Sequence, residues 1–410
     1  MERDGLEGPL VAPKASTLLD LPPSCIEFCP AHPEYFVVGT YNLEKGEAQT
    51  DTERDGDEFG QGAARKTPQN RNGSLITFRL QEDHLHLVQT LAYPSAILDL
   101  HFHRLKGYEN IAAVVSSTAT ISVFRLDPSH CPSEPLQRIT TSRIPDIEEN
   151  VLFLSFSWHP SSPDMLAVTT STGEVRLVRL SLTTFDVIAS QKLPIANTLE
   201  CWCVSLSPPI PDTEGAQNTV VYAGGDDSGL RYTSLSPALD GDGEPTLADV
   251  PYPSVAMKND HGAGVTAILP LSLHLNDGSR LVITGCYDES LRVFAIQDPQ
   301  TTFGVKRTKL LVDHSLGGGV WRLAVIKIHE VGQVGDGWTI RLLASCMHAG
   351  TRIVDLSILR DGTASAEVVY RFEEHKSMNY GSDWMPSGSL GSINVASTSF
   401  YDRLLCLWEV

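Results

Sequence analysis

Two stretches of the chain spell the same strand, turn and strand: residues 284–294, TGCYDESLRVF, and residues 398–408, TSFYDRLLCLW. Each has a Thr four positions before the Asp of a Tyr-Asp turn and an aromatic six positions after it. Each also has a His 27 positions before that Asp, His261 in one case and His375 in the other. A unit of this size cannot bury its apolar face alone and needs copies of itself to stack against. The pattern occurs seven times, with last strands GSLITFRL (73–80), ATISVFRL (119–126), GEVRLVRL (173–180), SGLRYTSL (228–235), ESLRVFAI (289–296), AGTRIVDL (349–356) and DRLLCLWEV (402–410). Their ends lie 46 to 61 residues apart, the period of a propeller blade lengthened by loops.

Each unit is preceded by a candidate inner strand: CIEFCP, SAILDLHF, VLFLSFSW, CWCVSLS, GVTAILPL, GVWRLAVI and YGSDWMP. Alternation and β-branched residues dominate, and helical periodicity is weak. The expected fold is therefore all-β, a seven-bladed WD-repeat β-propeller whose four-stranded sheets bury most strands on both faces. The chain ends on the third strand of a repeat, so segment 15–21 is expected to supply the missing outer strand and close the ring. The domain reading is a disordered stretch at 1–14 and a propeller over 15–410. A flexible acidic and polar insertion at 43–72 falls inside blade 1.

Bulk properties narrow the class. No apolar run approaches the roughly 18 residues of a membrane span. The start, MERDGLEGPLVAPK, lacks the apolar region of a secretory signal. The net charge of −19 argues against nonspecific binding to nucleic acid or to an anionic membrane. That charge permits a cationic partner, and solubility alone explains it equally well. The eight cysteines are scattered; the close pairs Cys25/Cys29 and Cys201/Cys203 lack partners for a metal or disulfide framework. Reduced thiols and a cytoplasmic location are expected.

Alignment of the repeats puts Asn42, Thr118, Thr172, Asp227, Asp288, His348 and Asp402 at one turn, on the face where the inner strands begin. A WD-type blade uses a buried His, a Ser or Thr, an Asp and an aromatic as a hydrogen-bonded clamp. His261, Asp288, His375 and Asp402 are expected to be clamp residues first. Breaking such a clamp costs about 1–3 kcal/mol per buried group left unpaired. His348 occupies the same place in blade 6, where an imidazole cannot replace a carboxylate as acceptor, and it is a candidate general base near neutral pH. Glycines 317–319 allow close backbone approach and are candidate N–H donors to an oxyanion. Trp202, Trp321, Tyr380 and Trp384 fall on inner strands, where core packing is the ordinary role. An aromatic at an acidic channel mouth would instead suit a quaternary ammonium group. No GxSxG elbow, HExxH motif or paired Cys and His is present.

Several strings carry a resemblance to a known family: VVGTY (37–41), SAILDL (95–100), GGDDSGLR (224–231), GCYDESLRVF, GGGVWR (317–322), CMHAG (346–350), YGSDW (380–384) and STSFYDRLLCLWE (397–409). In these the chain resembles the WD-repeat diphthine methyl esterases of the diphthamide pathway, also described as methylated diphthine methylhydrolases. Tyr232-Thr233 departs from that family's pattern, which tends to have Gly-Trp after GGDD. The resemblance implies a cytoplasmic carboxylic ester hydrolase that removes the methyl ester from methylated diphthine, a modified histidine on elongation factor 2. The freed carboxylate can then be amidated to diphthamide. Elongation factor 2 is the implied partner, other diphthamide-pathway proteins are further candidates, and neither an organic cofactor nor a metal is implied.

Placed on this sequence, Glu200, Asp227, Trp321 and Tyr380 would hold the trimethylammonium group. His348 would activate water, with Asp383 as the alternative base, and Arg322 or the glycine N–H groups would face the oxyanion. Fold alone favours a second reading, a non-catalytic scaffold for protein complexes. A methyl-group transferase is disfavoured because no dinucleotide-type glycine fingerprint follows a strand and opens a helix.

Overall fold

The computed structural model describes residues 8–43, 70–211, 217–238, 247–332, 335–386 and 391–410. Seven antiparallel sheets follow one another along the chain. Their innermost strands are Pro23–Cys29, Ile97–Phe102, Phe153–Trp158, Cys203–Leu206, Val265–His274, Arg322–Val331 and Gly381–Pro386. The expected propeller and the expected inner strands are what the chain forms. One helical turn, Pro299–Thr302, is capped by the Asp298 carboxylate, which accepts from Gln300 N at 2.8 Å.

Strands such as Ile111–Ser116 and Arg280–Cys286 are buried along their whole length. Side chains alternate across a strand, so a strand in a radial sheet sends successive residues to two different neighbouring blades. The core is accordingly divided into seven apolar clusters, one at each junction between blades. Leu281, Ile283 and Val293 of blade 5 meet Trp338, Ile340 and Leu342 of blade 6. Phe28, Phe36 and Val38 of blade 1 meet Ala396 and Leu405 of blade 7.

Blade 7 closes the ring. Its outer strand, Ala15–Leu18, runs antiparallel to Leu404–Glu409 in the register Ala15 to Leu407 through Leu18 to Leu404. Residues 8–14, expected to be disordered, instead lie along the edges of blades 6 and 7. Val11 N donates to Arg371 O at 2.8 Å, Arg371 N to Pro9 O at 3.0 Å, and Lys14 N to Leu407 O at 2.7 Å. Residues 1–7 fall outside the described residues. Of the 43–72 insertion, the two ends pair, Asn42 with Asn72 and Leu43 with Arg71, so Asn42 extends a hairpin and is not a turn residue. Residues 44–69 lie outside the described residues.

The clamps divide into two halves. His261 Nε2 meets Thr284 Oγ1 at 2.9 Å, while Asp288 accepts from Gly262 N at 2.7 Å and pairs with Arg292 at 2.8 Å. His375 Nε2 meets Ser397 Oγ at 2.7 Å, and Trp408 Nε1 donates to the same oxygen at 3.0 Å. Asp402 accepts from Lys376 N at 3.1 Å and from the hydroxyls of Ser377 and Ser399. Burial pushes both histidines down to about 4, so they are neutral struts at physiological pH.

Removing residues 1–18 deletes the outer strand of blade 7 and bares the edge of Leu404–Glu409. The truncated chain should lose roughly 10 °C or more in thermal midpoint, followed by circular dichroism. An unchanged midpoint would show that closure through residues 15–18 contributes nothing.

A candidate active site in the central channel

Inner strands that start on one face and run the same way place their first residues around a common mouth. Trp202, Trp321 and Tyr380 each directly precede or open such a strand, and Tyr287 stands on the turn of blade 5. Their rings form a cluster centred on Trp321. Its centroid lies 5.5 Å from Trp202, 5.7 Å from Tyr287 and 4.8 Å from Tyr380. Tyr380 continues the cluster to Phe400 at 5.5 Å. The carboxylate beside these rings is Asp226, which accepts from Trp202 Nε1 at 2.5 Å. Four electron-rich rings and a carboxylate make a surface that attracts a cation lacking hydrogen-bond donors.

Below this ring lies a cavity of about 390 Å³ to which all seven inner strands contribute. Its wall carries five acidic or basic side chains, Glu27, His101, Arg104, Arg322 and Asp383, with a sixth, Asp99, just behind Arg322. Buried charges must be paired, and all of these but Asp383 form one bonded chain in which basic and acidic groups alternate. Arg104 meets Glu27, and the other Glu27 oxygen meets His101 Nδ1 at 2.7 Å. His101 Nε2 lies 3.2 Å from Asp99, and Asp99 accepts from Arg322 Nη2 at 2.6 Å. Asp99 is fully buried and also receives Leu100 N at 2.9 Å and Phe156 N at 3.1 Å. Burial would raise its pKa, but Arg322 and His101 outweigh that and hold it well below the carboxylate range. The same contest, won by Arg104 and His101, lowers Glu27.

Asp383 behaves differently. Burial raises its carboxyl to about 6, because Arg104 and the N–H of Phe28, 2.7 Å from Oδ2, only partly compensate and Glu27 repels it. A carboxyl poised there exchanges protons near neutral pH and can serve as a general base. Cys25 and Cys203 also line the cavity, but burial pushes the Cys25 thiol up to about 12 and that of Cys203 well above its ordinary value. Both are inert at neutral pH. Among the described residues no group of three or more His, Cys, Asp or Glu side chains stands in a metal-holding arrangement.

Of the residues singled out from sequence, the structure brings together Arg322, Asp383, Trp321 and Tyr380, with Trp202 completing the mouth. It sets the others apart. His348 is half-exposed on its turn, with Glu289 at 4.0 Å, and is not in the cavity wall. Asp227 is held by Arg231 through two bonds of 2.9 and 2.8 Å and by Thr198 N at 2.8 Å. That is the arrangement of Asp288 with Arg292 and Gly262, so Asp227 is a clamp residue and its neighbour Asp226 faces the rings. Glu200 enters the mouth through its carbonyl, which accepts from Asp226 N at 3.0 Å.

The glycine run has a packing cause. A Cβ on Gly318 would come 2.2 Å from Cys346 O, and one on Gly319 would come 2.5 Å from Met347 Sδ. Trp384 packs outward, donating to Val325 O at 3.2 Å.

Glu27, Asp99, His101, Arg104 and Asp226 escaped the sequence reading. For Glu27, Asp99 and His101 the signal is an ionisable residue inside an otherwise apolar inner strand, as in CIEFC and AILDLHF; Arg104 and Asp226 lie outside the inner strands and carry no such mark. Truncating Arg322 to Ala strands the buried Asp99, which should cost roughly 3–5 kcal/mol of unfolding free energy in a urea titration. Arg322→Lys keeps the charge and should lose less. Equal losses would mean that the pair is not what holds these strands.

No family model matches the chain. It is similar along nearly its whole length to the "Diphthine methyltransferase homolog" of Dictyostelium discoideum, with 26% identity over 404 residues, covering 96% of this chain and 98% of that protein. It is 25% identical to the "Diphthine methyltransferase" of Schizosaccharomyces pombe over 97% of this chain and 98% of that protein. The human protein of the same name is 26% identical over 89% of this chain and 73% of its own length. Among solved structures, a chain of the "Crystal Structure of Mitotic Checkpoint Complex" superimposes with a TM-score of 0.55 at 10% identity. It covers 100% of this chain and 99% of that one, a likeness of fold alone.

Proposed function

We propose that the chain processes the methyl group of diphthine in the diphthamide pathway, and specifically that it hydrolyses the methyl ester of methylated diphthine on elongation factor 2 in the cytoplasm. The coarser part rests on relatives whose names join diphthine to a methyl group over nearly the whole chain. The hydrolytic part rests on one observation: a buried carboxyl raised to about 6 and an arginine share the cavity under a cluster of aromatic side chains; elongation factor 2 and the cytoplasm are what the family resemblance implies.

The substrate side chain carries a trimethylammonium group and the ester on the same carbon. With the cation against Trp202, Tyr287, Trp321 and Tyr380, the ester falls at the level where Arg322 opens its strand. Asp383 takes a proton from a water as the water oxygen bonds to the carbonyl carbon. Arg322 stabilises the oxyanion that forms, in a site where fixed charge is worth more than in water. The tetrahedral adduct then collapses and its C–O bond to methoxide breaks. Asp383 returns the proton, methanol leaves, and the new carboxylic acid ionises to solvent.

Asp383→Asn should fold and lose methanol release from the esterified factor by about 100-fold or more. Because the folded pKa of Asp383 exceeds the unfolded value near 4, its ionisation costs stability as pH rises through about 4 to 6. The Asn variant should therefore be no less stable than the parent at pH 7.5. The parent's kcat/KM should rise about tenfold per pH unit below 6 and level off above it. Trp321→Ala should raise KM, and His348→Ala should leave both constants within about twofold. Full activity in Asp383→Asn would end the assignment.

The relatives' name favours a second reading, transfer of a methyl group onto diphthine. Calorimetry with S-adenosylmethionine separates the two: binding supports transfer, and methanol release without that cofactor supports hydrolysis.

A further inference from the structure

Three basic side chains, Arg104, His101 and Arg322, line the channel within one bonded chain, and of these only the histidine has a charge that its chemistry leaves open. His101 Nδ1 lies 2.7 Å from Glu27 Oε2, and Nε2 lies 3.2 Å from Asp99 Oδ1. Arg322 Nη1 also approaches Nε2, at 3.3 Å. The two contacts at Nε2 exclude one another. A neutral ring would accept there from Arg322, whereas an imidazolium would donate to Asp99 and offer Arg322 no lone pair.

We propose that His101 stands in the channel as an imidazolium clasped between Glu27 and Asp99, and that this state leaves Arg322 an N–H free for a carbonyl or carboxylate oxygen in the cavity. Both flanking groups are acceptors only: Glu27 is held by Arg104, and Asp99 by Arg322 and two backbone N–H groups. The groups facing the ring are Glu27 from blade 1, Asp99 on its own strand, Arg104 just beyond that strand and Arg322 from blade 6. The Phe156 ring of blade 3 packs at 5.1 Å, and Asp383 of blade 7 interacts with Glu27 and Arg104. When Asp383 is ionised as the base, three carboxylates need three cations, and His101 is the third. Burial would discharge the ring, but the two carboxylates outweigh it and raise the imidazole to about 9. Glu27 is thus a positioning residue: it touches no reacting atom and acts through His101 on what Arg322 presents.

The test uses the full-length protein labelled with 15N at histidine. His101 is assigned from the signals missing in His101→Gln, and the side-chain nitrogens are followed from about pH 5.5 to 9. Two protonated ring nitrogens at pH 7.5 in the parent are expected, with the midpoint lowered by about one unit or more in Glu27→Gln. A neutral His101 at pH 7.5 in the parent overturns the proposal, whether or not the variant folds.

The kinetic arm rests on the hydrolytic reading. In Glu27→Gln, kcat for methanol release should fall about threefold or more at pH 8.5 and largely recover at pH 6.5, with KM little changed. A pH-independent loss overturns the link between His101 and Arg322. A parent chain that releases no methanol refutes the hydrolytic reading instead, and the spectra still decide the state of His101.

Discussion

Everything in this molecule depends on burying each blade's two faces against its neighbours. A four-stranded sheet sends alternate side chains to opposite sides, and here both sides are apolar. Leu281 and Ile283 point toward blade 6 while Val282 points toward blade 4. No blade can satisfy this by itself, and an open row of seven would leave two apolar faces in water. The ring must therefore close, and the pairing of Ala15–Leu18 with Leu404–Glu409 joins the two ends. The N–H and C=O groups of a would-be edge strand are consumed in the same step.

Closure produces the channel, and the channel gathers charged side chains that the blades cannot hold singly. Inner strands facing an axial space have one side that need not be apolar. Glu27, Asp99, His101, Arg322 and Asp383 all lie on such strands, drawn from four blades. Out of bulk water, each charge has to find a partner from another blade, so the ionic chain also ties blades 1, 2 and 6 together. Asp383 is the member with the weakest compensation, and its raised pKa follows from that.

The clamp turns show how one position can be emptied of its structural task. In blades 4 and 5 the carboxylate of Asp227 or Asp288 pairs with the arginine four residues later. Blade 6 keeps the arginine, Arg352, but its partner is Glu373 at 2.9 Å. The turn changes shape as well. Ser228, Glu289 and Arg403 hold the left-handed conformation just after the clamp aspartate, whereas in blade 6 that conformation falls on Met347 and Gly350. Asn379 N and Met347 O pair at 3.0 Å and tie the turn to the start of blade 7. His348 takes no part in that pairing, since Glu373 supplies the acid that Arg352 meets.

The amino-acid sequence by itself determined the propeller. Seven repeats, their alternation and the unfinished last blade are local or periodic features, and the inner strands, Trp321, Tyr380, Arg322 and Asp383 were legible from them. Asn42 was misplaced because a hairpin extension and a turn look alike in a polar stretch. His348 stands out because it differs from the aspartate of the other clamps, which measures departure from a pattern and not proximity to a site, while the Asp227 carboxylate is turned to Arg231 by its clamp. Glu27 and His101 lie 74 positions apart, and Asp99 and Arg322 lie 223 apart. Which charges meet, and which carboxyl is left short of compensation, depends on distances across the ring. Those distances exist only once the ring has closed, since the interaction of buried charges is set by separation in space and by exclusion of water.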